Sequence, residues 1–383
     1  MNSRPVYLDN QATTPMDPSV REAMWPWLCE QFGNPHSSDH GFGWEASRAV
    51  GEARARVAQL VNADDEEIVF TSGATESCNL ALRGVASREG NDGRNRIVTV
   101  ATEHPAVLET VQDLGRWGFD AVVLPVGANG LVDLPELERA TDERTLLVSV
   151  MAVNNEIGVV QPLTEIGKRC REIGALFHTD ATQAAGRLEV DVEEWDVDLL
   201  SISGHKVYGP KGVGALFVRS GVDLRPVITG GGQERGLRGG TVPVPLAVGL
   251  GEASRMAAEK RVDDCERMGR LAGRLYEALL EVRPDIRLFG DVDKRIAGNL
   301  SIGFPGVLAE EIIAAVSDRL AFSSGSACSS ASLEPSRVLM ALGLDEETAA
   351  TGVRISLGRF TTDEDVDKAI SVLTELKIIA RRI

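Results

Sequence analysis

The chain contains no CxxC pair, no apolar run of bilayer length, no internal repeat and no block of basic charge. Each absence removes a class of protein. The five cysteines, Cys29, Cys78, Cys170, Cys265 and Cys328, stand far apart. That spacing builds neither a disulfide framework nor a zinc site. Four of them fall in or near helix-like sequence, where a thiol acts as a small apolar side chain. The histidines, His36 and His40 among them, lack an accompanying pattern of acidic ligands, so no metal site is expected. There are 40 lysines and arginines against 57 acidic residues, a net charge of −17. Phosphate backbones attract basic surfaces, which argues against nucleic acid as a main ligand. The acidity is dispersed and reads as a solubility feature. Without a spanning segment, no membrane contact is expected. The start, Met1-Asn2-Ser3-Arg4-Pro5, leads into strand-like Val6-Tyr7-Leu8 with no signal-peptide h-region and no transit segment. These features predict a cytoplasmic protein.

What is present suits a two-domain α/β enzyme. The chain has 383 residues, 43% of them apolar, enough for a large core. Strand-like runs at 68–71, 96–101, 121–126, 146–151, 175–180, 199–203 and 213–218 alternate with helical patterns such as 164–173. Most runs are continuous Val, Ile and Leu, as expected for strands covered on both faces. The pattern predicts a doubly wound, mainly parallel sheet, with ligands at the carboxyl ends of its strands. A long helical pattern over 245–282 links this part to a smaller α+β region, whose last helix opens on a capping box from Thr361 to Glu364. The expected division is 15–260 for the large domain and 1–14 with 261–383 for the small one, including a loop at about 321–333.

Several turns carry chemistry. Ser203-Gly204-His205-Lys206 puts a lysine directly after an apolar strand, where an amine loses its proton more readily than in water. A neutral amine forms a Schiff base with an aldehyde cofactor. The preceding strand ends in Asp180. A Schiff-base lysine and an aspartate aimed at a pyridinium nitrogen are the minimal equipment for pyridoxal phosphate (PLP). Upstream, the 68–71 strand runs into Ser72-Gly73-Ala74-Thr75, which opens a helix and so offers free amide N–H groups to a phosphate. Ser203 and His205 add donors there. Taken singly, these are ordinary capped turns; together they favour a cofactor site. His104 ends another strand, suited to stacking on a ring or moving a proton. Asn155 and Gln183 are candidates to bond a phenolic oxygen, with turn duty as the alternative. Arg354, in a strand-like run, is either a carboxylate clamp or half of a structural ion pair. The glycine loop 230–241 is either a loose surface loop or an arm that carries Thr241 to a second subunit. Ser323-Ser324-Gly325-Ser326-Ala327-Cys328 is small and polar, so its cysteine is expected to be exposed and reactive.

These motifs resemble those of the cysteine desulfurases of the iron–sulfur assembly type, long-loop subgroup, within the class V aminotransferase fold group. The likeness rests on Tyr7-Leu8-Asp9-Asn10-Gln11-Ala12-Thr13-Thr14, Gly33-Asn34-Pro35, Thr71-Ser72-Gly73-Ala74-Thr75-Glu76-Ser77, Asn154-Asn155-Glu156-Ile157-Gly158, His178-Thr179-Asp180-Ala181-Thr182-Gln183 and Ser203-Gly204-His205-Lys206. The cysteine loop and the Leu333-Glu334-Pro335-Ser336 that follows are the most specific part. The resemblance implies the aspartate aminotransferase-like fold, with a mainly parallel seven-stranded sheet. It implies PLP on Lys206, with Asp180 at the ring nitrogen and His104 on the ring. It puts Ala74, Thr75, Ser203 and His205 at the phosphate, with Thr241 from the partner of a homodimer, and Asn155 and Gln183 near the ring oxygen. Arg354, with Asn155 beside it, would bind the carboxylate of L-cysteine, Lys206 would take the Cα proton, and Cys328 would receive the sulfur as a persulfide, leaving alanine. Selenocysteine lyase or another PLP lyase or aminotransferase of the fold is the alternative. Relatives often continue into a tail that docks the iron–sulfur scaffold. Here the sequence stops at Ile383, so the resemblance implies a sulfur acceptor without fixing how it docks. Ala152 stands where relatives carry a bulkier residue, which suggests a roomier cofactor site.

Overall fold

Runs of branched apolar residues build the centre of the molecule. The computed structural model describes residues 4–88, 93–324 and 335–376. After β1 (Val6–Tyr7), α1 (Pro18–Cys29) and α2 (Gly41–Val61), strands and helices alternate. They run β2 (Ile68–Thr71), α3 (Ala74–Ala86), β3 (Arg96–Val100), α4 (Pro105–Arg116), β4 (Asp120–Leu124) and α5 (Leu134–Ala140). Then follow β5 (Thr145–Ser149), α6 (Leu163–Ile173), β6 (Leu176–Asp180), β7 (Leu199–Ser203) and β8 (Gly214–Val218). These seven strands, β2 to β8, form one sheet in the order β2-β8-β7-β6-β5-β3-β4. Only β8 runs against its neighbours. All seven predicted strands form, with ends within two residues of the expected ones. Every residue of β5, β7 and β8 is buried, as their unbroken Val/Ile/Leu runs require. β4 lies at an edge and alternates between covered and exposed positions.

Helix α7 (Val244–Val282) is 39 residues long and serves two cores. Ala247, Leu250, Ala253 and Ala257 pack into the core beside the sheet. Met268, Leu271, Leu275 and Leu279 pack into another, with Val6, Leu8, Ile302, Ile355 and Leu373. Gly251 makes the first packing possible, since a Cβ there would lie 2.6 Å from Ala53 Cα on α2. Past α7 lie β9 (Arg287–Leu288), β10 (Asn299–Gly303), α8 (Ala309–Val316), β11 (Leu320–Ala321), α9 (Arg337–Ala341), α10 (Glu346–Ala350), β12 (Gly352–Ser356) and α11 (Asp363–Thr374). β12, β10 and β9 make a small antiparallel sheet. The capping box of α11 sits one residue later than expected, from Thr362 to Asp365. Thr361 is turned inward instead, where its Oγ1 accepts the Gly358 N–H at 3.0 Å.

Candidate active site

Because six of the seven central strands run the same way, their following turns meet at one edge of the sheet. A cavity of about 870 Å³ opens there. Its wall includes Ala74 and Thr75 after β2, His104 after β3, Asn155 after β5, Asp180 at the end of β6 with Gln183 beyond it, and Ser203 at the end of β7 with His205 and Lys206 beyond it. Arg354 closes it from β12. Ten of the twelve residues singled out from the sequence thus face one space. Cys328 lies outside the described residues. Thr241 is exposed and is not part of this wall.

The N-terminal segment lies across the mouth of the β7 turn. Lys206 Nζ donates to the carbonyls of Gln11 and Ala12 at 2.5 and 2.9 Å. Gln183 Nε2 donates to the same Gln11 carbonyl at 2.9 Å. His205 Nδ1 lies 3.0 Å from Thr13 Oγ1. Asp180 is 6% exposed and accepts the Thr182 N–H at 2.9 Å.

Gly73, the N-cap of α3, has a φ of +146°, and no side chain caps the helix start. The first amides of α3 are therefore open to an anion. A Cβ on Gly73 would project toward Ser203, 3.8 Å from its Oγ. The space between the helix start and Ser203 is a cradle that any larger residue would invade. The cavity wall also holds two buried polar atoms, Gln11 Nε2 and Thr182 Oγ1, with no hydrogen-bond partner among the described residues. Buried polar groups normally find one, so a polar ligand suits this wall. A lysine, an aspartate, a histidine and an anion cradle on one wall fit PLP.

Burial governs the charges here. It pushes the His104 imidazole below its ordinary value, helped by Lys206 and Arg337 and opposed by Asp180. His104 Nδ1 accepts the Ala106 N–H at 3.1 Å, capping α4. The neutral ring therefore carries its proton on Nε2. Burial, then Lys206 and Lys211, hold His205 down at about 4. His178, one layer behind the wall and bonded to Ser149 and Ser201, is likewise held at about 4 by burial.

Arg354 combines the two roles that its sequence left open. It faces the cavity, yet Nη2 is 2.8 Å from Asp9 Oδ1 and Nη1 donates to the Asn155 carbonyl at 2.9 Å. These bonds fix the plane of the guanidinium. Three acidic wall residues, Glu76, Glu103 and Glu156, went unassigned in the sequence reading. Glu156 accepts from Ser336 Oγ, the cap of α9, and Glu103 accepts from the Met151 N–H. Neither contact has a local signature, because the partners lie 180 and 48 residues away. Two expectations change. Ala152 is fully buried in the core, while its neighbours Met151 and Val153 line the cavity, so its size does not widen the site. The glycine loop is pinned, not loose. Glu234 pairs with Arg54 through both carboxylate oxygens at 2.7 Å, and Arg238 meets Glu76 at 2.8 Å.

Comparison with known proteins agrees with this geometry. The family profile described as Aminotransferase class-V matches residues 6–369. Proteins named cysteine desulfurase IscS from Rickettsia bellii and Rickettsia felis are 52% and 53% identical to the chain over 371 residues, 96% of it and 90% of each relative. A solved structure described as a NifS-like protein matches at TM-score 0.90 and 37% identity, covering 97% of this chain and 99% of that one. Another, described as SspA in complex with cysteine, matches at TM-score 0.81 and 38% identity, covering 94% of this chain and 100% of that one. The chain belongs to the class-V aminotransferase family, within its cysteine desulfurase branch.

Proposed function

We infer that the protein is a PLP-dependent cysteine desulfurase, which converts L-cysteine to L-alanine and passes the sulfur on through a persulfide on Cys328. One observation carries the reading. A single cavity gathers a strand-end lysine, a buried aspartate, a histidine and an oriented arginine, in a chain half identical to proteins named for this activity. PLP, when bound, supplies an electron sink that weakens the bonds at the substrate Cα.

The chain's own groups do the rest. Lys206 Nζ would hold the cofactor, and its free amine would accept the Cα proton. Asp180 would accept the N–H of the ring nitrogen. His104 would lie against the ring and present Nε2–H. The α3 amides, Thr75, Ser203 and His205 hold the phosphate, and Asn155 and Gln183 flank the ring oxygen. Arg354, held planar by Asp9 and the Asn155 carbonyl, grips the substrate carboxylate with its remaining N–H groups. The Cys328 thiolate then attacks the substrate sulfur. An S–S bond forms, the C–S bond breaks, and its electron pair leaves with the alanine skeleton, which is protonated. The acceptor of the persulfide sulfur is an iron–sulfur scaffold or another carrier protein.

A homodimer completes the site in this reading. The stretch from Trp25 to Trp44 exposes Trp25, Leu28, Phe32, Phe42 and Trp44, an apolar burden that suits a protein contact. Thr241, exposed and outside its own cavity, serves the phosphate of the second copy.

The test is the visible absorption of the purified protein with PLP, read beside alanine production from L-cysteine. Lys206→Ala is expected to lose both. Asp180→Asn, which removes a charge-assisted bond worth about 1.5–3 kcal/mol, is expected to lower turnover roughly 10- to 100-fold. Normal alanine production by Lys206→Ala would end the proposal.

A further inference from the structure

The free amine of Lys206 has a defined resting place. Nζ donates to the Gln11 and Ala12 carbonyls at 2.5 and 2.9 Å. Two bonding directions on nitrogen therefore point at these carbonyls, and a third is the bond to Cε. One direction is left for the lone pair of the neutral amine, on a residue that lines the cavity. The Gln11 carbonyl also receives Gln183 Nε2 at 2.9 Å, so one oxygen collects two side chains of the site. Where that carbonyl points decides where both of them sit.

Gln11 is fully buried and is anchored away from the cavity as well. Its N–H donates to Ser356 Oγ on β12 at 3.0 Å. Its side-chain Oε1 accepts from Asn299 Nδ2, at the start of β10, at 2.5 Å. Its Nε2 has no hydrogen-bond partner among the described residues, so the Asn299 bond is the one hold on that side chain there. Asn299 is fixed in turn. It is 2% exposed, and its Nδ2 also donates to the Glu156 carbonyl at 3.0 Å. Arg295 Nη1 donates to its Oδ1 at 2.6 Å. An arginine only donates, so Oδ1 of Asn299 faces Arg295 and Nδ2 faces Gln11. The Gln11 amide follows, with its oxygen toward that donor. Hydrogen bonds thus run from Arg295 through Asn299 and Gln11 to the Lys206 amine. Gln11 lies 288 residues from Asn299 and 195 from Lys206, so the fold alone makes this chain.

We propose that Asn299 is a positioning residue for Lys206: through the Gln11 side chain it aims the carbonyl that receives the free amine, and so sets where that amine meets the substrate Cα. The inference rests on the assignment of PLP to this cavity. In the step it governs, the Lys206 lone pair takes the Cα proton. An N–H bond forms, the C–H bond breaks, and its electron pair passes to the cofactor's electron sink. Misplacing a reacting group by about 1 Å costs up to about 100-fold in rate. Binding of PLP responds differently. The carbonyl contacts belong to the unattached amine, so weakening them does not weaken attachment and, by linkage, favours it.

The experiment uses the holoenzyme and the variants Asn299→Leu, Gln11→Met and the two combined. Exchange of the Cα proton of L-alanine with heavy water, read by NMR and counted per bound PLP, reports the proton transfer without any sulfur chemistry. Asn299→Leu should slow it about five- to tenfold, the loss of one hydrogen bond. Gln11→Met should do the same. The double variant should be no slower than either single one, because both changes cut the same chain. The PLP dissociation constant, titrated on the cofactor's visible band, should stay within about twofold of the parent or fall. General damage to the pocket would raise it instead. A parental exchange rate in Asn299→Leu overturns the proposal. So do losses that multiply in the double variant, or PLP binding weakened as much as exchange. If Asn299→Leu does not fold, Gln11→Met decides alone, since it leaves Asn299 bonded to Arg295 and Glu156. A parent that binds PLP yet exchanges no Cα proton also ends the proposal. A parent with no visible cofactor band refutes the PLP assignment, which keeps the two failures apart.

Discussion

Gly73 and His178 show how single residues set the conditions for the site. Gly73 adopts a φ of +146°, outside the range comfortable for residues with a Cβ, at the start of α3. A side chain there would be strained and would reach into the cradle beside Ser203. Gly73→Ala is expected to weaken PLP binding about tenfold or more, while the apoprotein loses about 1–2 kcal/mol of stability. Fluorescence titration with PLP and urea unfolding of the apoprotein check the two effects separately. His178 is held at about 4 in the folded chain, against about 6.5 when unfolded. Between those values the unfolded state binds the extra proton, so this residue's contribution to stability is complete above about 6.5. It is lost as the pH falls toward 4. The sign follows from linkage, with a slope of about 1.4 kcal/mol per pH unit per proton. Measured as the difference between the parent and His178→Asn, the parent's advantage should shrink across that window. A constant difference would mean that His178 is not buried neutral.

At the scale of elements, the site depends on contacts that tie its turns to the small core. Arg359, just past β12, bonds Asp17 at the start of α1 at 3.0 Å and Asp264 on α7 at 2.7 Å. Its guanidinium lies 4.3 Å from the ring centre of Tyr208, two residues after the lysine. All three charged side chains are buried. Removing the cation leaves Asp17 without an ion pair among the described residues and Asp264 with Arg267 alone, so Arg359→Met should cost about 3–5 kcal/mol. Adding Asp264→Asn to that variant should recover part of the loss, and urea midpoints of the single and double variants check both. None of this was legible in the sequence, since Asp17 and Arg359 are 342 residues apart and neither sits in a telling pattern. The strands were legible because a continuous Val/Ile run is a local signal. So were Lys206, Asp180, His104 and the Gly73 turn, because each lies at or shortly after the end of such a strand. Glu103 stands beside His104 in the sequence and still escaped notice, because its partner, the Met151 N–H, lies 48 residues away. The capping box of α11 was misplaced by one residue, since only the fold decides which of two adjacent threonines turns inward.

The whole molecule is expected to work as a pair. Sedimentation should give twice the chain mass of 41.1 kDa. Thr241→Ala should weaken PLP binding about three- to tenfold, the loss of one hydrogen bond. In the heterodimer it forms with Lys206→Ala, one of the two cavities should regain full affinity, because its intact lysine then faces the partner's intact threonine. The account's central claim is that one cysteine carries the sulfur away, and it is tested most directly by a single turnover of L-cysteine. The assay counts alanine and protein-bound persulfide in the parent and in Cys328→Ala, both loaded with PLP. The account predicts one alanine and one persulfide per site in the parent, and neither in the variant. Equal alanine from both proteins would contradict it and point to a lyase or transaminase that releases its product without Cys328.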